Sequence, residues 1–145
     1  MGGKTQPPRR RNDLLNGMRV LVVDDDPSIR RLVRAFLTNE GAEILEAENV
    51  DELSGLLDGG TRPSVIVLDL SMPGKSGWTA LPRLLEQGDE IPVVILTAHN
   101  DVEFKKSAIK RGVSSYLTKP FKGWEIVDAV MKAAGPKRDP WAGGI

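Results

Sequence analysis

Five short apolar runs rich in β-branched residues recur along the chain, and a helical pattern follows each of them. The runs occupy residues 18–23, 42–47, 65–68, 92–96 and 113–118. Val65 to Leu68 are apolar at every position, as in a strand covered on both faces of a parallel sheet. After the first run, Ile29, Leu32, Val33, Phe36 and Leu37 recur at helical spacing and share one face. Val50, Leu53 and Leu57 do the same after the second run, and Trp78, Leu81, Leu84 and Leu85 after the third. The stretch 101–111 has a thin apolar face of Phe104 and Ala108 with Val102 and Ile109, crowded by Lys105, Lys106, Lys110 and Arg111. Val127, Val130, Met131 and Ala134 mark the last helix. Strands that alternate with helices through short connections form a parallel sheet with helices on both faces. Five such units predict an α/β, doubly wound, flavodoxin-like fold with strand order 2-1-3-4-5. Glu43, Glu46 and Glu48 predict that the second strand is a less buried edge.

Local punctuation sets the boundaries. Asp26 followed by Pro27 predicts an N-cap and first helical position. Gly41 and Gly59-Gly60 close the first two helices. Pro82 fits the third helix only if that helix starts near Trp78, where a missing N–H falls among the unpaired first four. Gly135-Pro136 predicts the end of the last helix. Residues 1–17 are rich in Gly, Pro and Arg without periodicity and read as a flexible basic leader. Residues 18–134 then form one domain, and 135–145 a disordered tail.

Composition excludes several chemistries. The chain has no Cys, so disulfides, thiol nucleophiles and Cys-bound zinc are ruled out. One His, His99, excludes a multi-histidine metal site within a single chain. No apolar run is long enough to span a membrane, and the N-terminus lacks an apolar signal core. A cytoplasmic protein with no membrane partner is the expectation. The net charge of zero conceals an asymmetry. Lys4, Arg9, Arg10 and Arg11 against Asp13 leave residues 1–17 at +3, and residues 135–145 carry +1, so the body holds −4. An acidic body is a poor footprint for nucleic-acid binding. Arg9-Arg10-Arg11 reads as a solvated tail.

The strand ends carry the chemistry. Asp24-Asp25-Asp26 follows the first strand, Asp69 the third, Thr97 the fourth and Lys119 the fifth. In the order 2-1-3-4-5 the first and third strands are neighbours, so three carboxylates meet at the rim. Like charges at close range repel and raise one another's pKa. A divalent cation relieves that cost, and oxygen ligands without His or Cys point to Mg²⁺ or Mn²⁺. Lys119 balances the remaining charge. Each residue taken singly has a plainer reading: Asp69 a turn, Asp26 an N-cap, Lys119 a surface lysine. Together they suit in-line phosphoryl transfer to a carboxylate, giving an acyl phosphate. Gly74-Lys75-Ser76 is no phosphate-binding loop, because the motif's first glycine would fall at Asp69.

Val22-Val23-Asp24-Asp25-Asp26-Pro27, Leu68-Asp69-Leu70-Ser71-Met72-Pro73-Gly74, Leu96-Thr97-Ala98 and Tyr116-Leu117-Thr118-Lys119-Pro120-Phe121 resemble the motif set of response-regulator receiver domains. The resemblance covers residues 18–134. It implies that Asp69 accepts the phosphoryl group. Asp24, Asp25, Asp69 and the Ser71 backbone carbonyl would hold Mg²⁺. Thr97 and Lys119 would contact the phosphoryl group, and Thr97 and Tyr116 would form the switch. Lys119-Pro120 would be a cis peptide. The donor would be a phosphohistidine on a sensor histidine kinase or phosphotransfer protein. The output would be a downstream protein bound through the face of helix 4, strand 5 and helix 5, in a phosphorelay rather than in turnover of a substrate. Plain packing is an alternative for Tyr116. His99, two residues beyond Thr97, occupies a position that tunes dephosphorylation in the family, or is a solvated loop histidine. Ser76-Gly77 stands where family members often have Asp-Gly.

Two other functions are compatible with parts of this pattern. A Mg²⁺-dependent aspartyl-phosphate phosphatase of the dehalogenase type would need an acid two residues after its nucleophile, where this chain has Ser71. A phosphorylation-independent receiver-like interaction domain would not need the acidic site together with Thr97 and Lys119.

Overall fold

The computed structural model describes residues 13–85 and 90–138, with the backbone alone for 135–138. The strands are β1 (Arg19–Val23), β2 (Glu43–Ala47), β3 (Val65–Leu68), β4 (Val93–Thr97) and β5 (Ser115–Thr118). The helices are α1 (Pro27–Thr38), α2 (Val50–Asp58), α3 (Leu81–Leu85), α4 (Val102–Arg111) and α5 (Gly123–Arg138). A 3₁₀ turn, Gly77–Ala80, leads into α3. Pro82 therefore lies in the first α-helical turn, as the missing donor requires.

The sheet order is β2-β1-β3-β4-β5, and every pair is parallel. This is the 2-1-3-4-5 order expected from the alternation. Successive side chains on a strand point to opposite faces, which divides the core in two. Leu21, Val23, Ile66, Leu68, Val93 and Ile95 pack on the side of α2, α3 and α4. Val20, Val22, Val65, Val67, Val94 and Leu96 pack on the side of α1 and α5. Both faces are covered, so β1, β3 and β4 carry unbroken apolar runs. Each fully buried side chain of this kind contributes about 1.5–3 kcal/mol. At the β2 edge, Glu43 is exposed and Leu45 and Glu46 are half-buried.

Capping follows the sequence closely. The Asp26 carboxylate accepts from the Ser28 amide at 2.8 Å, with Pro27 at the first helical position. Asn49 accepts from the Glu52 amide at 2.8 Å, and the Glu52 carboxylate accepts from the Glu48 amide at 2.8 Å. Gly112 ends α4 at φ 107°, a left-handed conformation that side-chain-bearing residues avoid.

Two boundaries differ from the sequence expectation. The leader does not extend to residue 17. Leu15 is fully buried, its amide donates to the Glu40 carbonyl at 2.9 Å, and its own carbonyl accepts from Met18 at 3.0 Å. A single Leu14-Leu15 pair is too short to show periodicity, yet Leu15 fills a gap against α1. At the other end, α5 runs through Gly135 and Pro136 to Arg138. Pro136 forfeits one backbone bond, but Ile126, Val130 and Ala134 anchor the helix on the sheet. Residues 135–138 thus belong to α5 and not to a tail. The expectations for residues 1–12 and 139–145 lie outside the described residues.

Glu46 ties the β2 edge to α1. Its carboxylate accepts from Arg30 Nε at 2.9 Å and Arg34 Nε at 2.7 Å. Partial burial would raise its pKa, but the two guanidinium bonds outweigh that and hold it below the usual glutamate range. A group with a depressed folded-state pKa contributes stability above its unfolded pKa, and that stability is lost as pH falls through the folded value. Glu46→Gln should therefore lower stability near neutrality by about 0.5–1 kcal/mol. The gap from the wild type should close in acid. Urea denaturation at a series of pH values checks this, and a gap that persists at low pH would contradict it.

Candidate functional site

Register builds the site. Val23 lies opposite Leu68, so the next residues, Asp24 and Asp69, leave neighbouring strands at the same level. Asp69's amide donates to the Val23 carbonyl at 3.0 Å, and Asp24's to the Ala47 carbonyl at 3.1 Å. Thr97 lies opposite Thr118, which sets Lys119 one residue beyond the end of β4. Lys119's amide donates to the Thr97 carbonyl at 2.8 Å, and the Lys119-Pro120 bond is cis.

Asp24, Asp69 and Thr97 are buried, with 2 %, 4 % and 0 % of their surface exposed, whereas Asp25 is exposed. One carboxylate oxygen of Asp24 accepts from the Asp26 amide at 2.9 Å. One of Asp69 accepts from the Ser71 amide at 3.0 Å. The second oxygen of each takes a bond from Lys119 Nζ, at 2.8 Å and 3.2 Å. Both side chains are thus oriented from two sides. Asp24, Asp25 and Asp69 each offer a carboxylate oxygen, and these oxygens lie within 4.8 Å of one another. Three hard oxygen donors at this spacing, with one carboxylate open to solvent, fit a divalent cation of the Mg²⁺ type.

The charges act on one another. Burial pushes the Asp24 carboxyl above its ordinary value, and the bonds from Lys119 and the Asp26 amide only partly reverse that. Burial would lower the Lys119 ammonium, but its bonds to Asp24 and the charges of Asp24 and Asp69 more than offset this, and the net shift is upward. Lys119 therefore stays cationic between two acids. The Tyr116 hydroxyl is raised, first by burial and then by Asp101 and Asp69.

The switch candidates are contiguous. Tyr116 is buried, and its hydroxyl donates to the His99 carbonyl at 2.9 Å. The His99 amide reaches the Thr97 hydroxyl at 3.5 Å. The His99 ring is not a free loop side chain: it sits 5.0 Å from the Phe104 ring on α4, which meets Trp78 edge-on at 5.8 Å. Trp78 anchors a helical face, as its spacing suggested.

Two residues were not visible as site residues. Arg30 donates from Nη1 to the Asp24 carbonyl at 2.6 Å while its Nε holds Glu46, fixing the loop that carries Asp24 and Asp25. In the sequence it is one of several arginines on a solvated helical face. Gly77 backs directly onto Asp69: a Cβ there would overlap the Asp69 carbonyl oxygen and lie 3.0 Å from Leu70 Cα.

Residues 20–131 match the family model described as the response regulator receiver domain. The chain belongs to that family. The receiver is 39% identical over 103 residues to the KDP operon transcriptional regulatory protein KdpE of Escherichia coli, covering 70% of this chain and 44% of KdpE. It is 37% identical over 117 residues to an uncharacterised 14.6 kDa protein of Leptolyngbya boryana, covering 79% and 88%. The receiver domain of the Francisella response regulator 1452 superposes with a TM-score of 0.78 at 31% identity, over 84% of this chain and 100% of that one. Chemotaxis response regulator CheY4 of Vibrio cholerae gives 0.71 at 27% identity, over 80% and 98%. This receiver spans about half or less of several curated relatives, at 54% of a PhoB and 26% of a DctD from Pseudomonas aeruginosa. Among the described residues no helix is long and apolar enough to cross a membrane.

Proposed function

We propose that this receiver takes a phosphoryl group from a phosphohistidine onto Asp69 and switches partner binding in response. The observation that carries the reading is Lys119 Nζ bridging the buried carboxylates of Asp24 and Asp69 beside exposed Asp25. An Asp69 oxygen attacks phosphorus, the P–N bond breaks and the imidazole leaves. Asp24, Asp25, Asp69 and the Ser71 carbonyl would hold Mg²⁺, with Mn²⁺ as a substitute. Bound there, the ion supplies charge neutralisation for the transferring group. Lys119 pairs with a phosphoryl oxygen, and the Thr97 hydroxyl donates to another. The product is one acyl phosphate per chain and not turnover of a substrate.

The bound group adds about two negative charges at the rim. Thr97 is drawn toward them, which keeps space open for the inward tyrosine already tied to His99. The populations of two packings of α4, β5 and α5 then shift, and a downstream protein reads that face. The partners would be a sensor histidine kinase or phosphotransfer protein and an effector, with no nucleic acid bound by this chain and a cytoplasmic setting. Several relatives are named as transcriptional regulators, which supports an effector partner.

Incubation with acetyl phosphate, with and without Mg²⁺, tests the reading by intact mass. A single phosphoryl adduct that requires Mg²⁺ is expected. Repeated hydrolysis of phosphate esters would favour a phosphatase, and no adduct would favour a phosphorylation-independent interaction domain. A relative's receiver domain has been prepared as a beryllofluoride-activated form. The same reagent should shift amide resonances across α4 and β5 of this chain. Thr97→Ala should still label, while those shifts shrink by about tenfold in population. Full shifts in Thr97→Ala would remove the hydroxyl from the switch.

A further inference from the structure

A groove of about 600 Å³ lies between the end of α1 and the first half of α5, and none of the acidic-rim residues lines it. Leu14, Phe36, Trp124, Val127 and Met131 line it. Trp124 is 66 % exposed and Leu14 46 %, so two large apolar side chains face water at its edge. Gly123 explains the shape. A Cβ at that position would overlap the Phe36 ring, so only glycine lets the ring lie across the start of α5. The polar lining is acidic. Glu40 Oε1 is buried with no hydrogen-bond partner among the described residues. Asp128 pairs with Lys132 at 3.1 Å and keeps 39 % of its side chain exposed. A buried carboxylate oxygen without a donor is costly, and a cation at hydrogen-bond distance removes that cost.

The chain itself supplies a complementary segment at this place. Leu14 is a wall of the groove, and the Leu15 amide is bound to the Glu40 carbonyl at 2.9 Å. The residues just before read Pro7-Pro8-Arg9-Arg10-Arg11-Asn12. Proline pairs favour the extended helix that docks in aromatic-lined grooves. Arginine forks bind carboxylates, and their methylene stems cover apolar surface. At about 3.1 Å per residue, Pro7 can lie up to about 20 Å from Leu14. The groove needs less, because Trp124 and Met131 are two helical turns apart, about 10 Å. A tether this short gives an effective concentration of about millimolar, which offsets a weak contact.

We propose that Pro7–Arg11 seats in the α1–α5 groove, prolines against Trp124 and Phe36 and an arginine on Glu40. This is independent of whether Asp69 is phosphorylated.

The test compares the full chain with one lacking residues 2–12, following the Trp124 indole resonance by NMR after Trp124→Phe assigns it. Deletion should shift that resonance. A synthetic peptide of residues 2–12 should return it toward the full-chain position, saturably, and high salt should abolish the return. The full-length variant with Arg9, Arg10 and Arg11 all changed to Gln leaves every described residue intact and should reproduce the deletion. Glu40→Gln should do so in part. An identical Trp124 resonance in the full and shortened chains would overturn the proposal. So would a shift that appears only with a change from dimer to monomer in sedimentation, which would assign the groove to a second copy.

Discussion

Asp69→Asn should take up no phosphoryl group from acetyl phosphate and Mg²⁺ under conditions that label the wild type fully, as read by intact mass. The loss should be complete because a carboxamide is not a nucleophile toward phosphorus at neutral pH. The change is nearly isosteric. The Asn side-chain oxygen can still accept from the Ser71 amide, the bond that orients Asp69 at 3.0 Å. Lys119 keeps its shorter bond to Asp24 at 2.8 Å, so the fold should survive with a normal circular dichroism spectrum. The acidic trio falls from three carboxylates to two, and Mg²⁺ affinity should fall with it. Asp24 and Asp25 are the other nucleophiles within reach. Asp24 is buried and committed to Lys119 and the Asp26 amide, while Asp25 is exposed. An undiminished adduct in Asp69→Asn would move the acceptor to Asp25 and refute the assignment.

Gly77→Ala should cost about 2 kcal/mol of stability or more and slow labelling in the folded fraction. The added methyl would overlap the carbonyl oxygen of Asp69 and lie 3.0 Å from its carbonyl carbon. Those are backbone atoms, so no side chain can swing aside to make room. The Gly77 amide also donates to the Leu70 carbonyl at 3.0 Å, which holds the two segments together. Relief requires the loop after β3 to move, and Asp69 moves with it. Gly55→Ala is the matched control. It lies within α2, and a Cβ there meets nothing within 4 Å. That substitution should be neutral or stabilising by up to about 1 kcal/mol. Urea denaturation and labelling rates on both variants check the pair. Equal behaviour would show that the contact between Gly77 and Asp69 is not limiting.

The sheet order and the cluster of strand-end residues were legible because the signal is local. A strand buried on both faces must be apolar at consecutive positions, as Val65 to Leu68 are, and Asp69 followed by Met72-Pro73-Gly74 cannot extend it. Likewise Asp26 before Pro27 reveals a helix start through chemistry confined to three or four residues. Leu15 was missed for the converse reason. Two leucines have no period, and the burial of Leu15 depends on a gap left by α1. Gly135-Pro136 misled because a local penalty was outweighed by the packing of a long helix. Arg30 carried no legible sign, and Gly77 showed only as part of Ser76-Gly77, where family members often have Asp-Gly. One reads as a solvated charge and the other as a turn glycine until the Asp24 and Asp69 carbonyls are seen beside them.

What the chain's pattern determined by itself is which residues end each strand and that all the ends share one rim, since hydrophobic periodicity and turn chemistry act within a few positions. What tertiary structure alone decided is the division of labour at that rim. Asp24 rather than Asp25 is buried, and Lys119, 95 positions away, reaches it at 2.8 Å. Such distances depend on strand register and on how loops from separate units pack, and no single segment of the sequence encodes them.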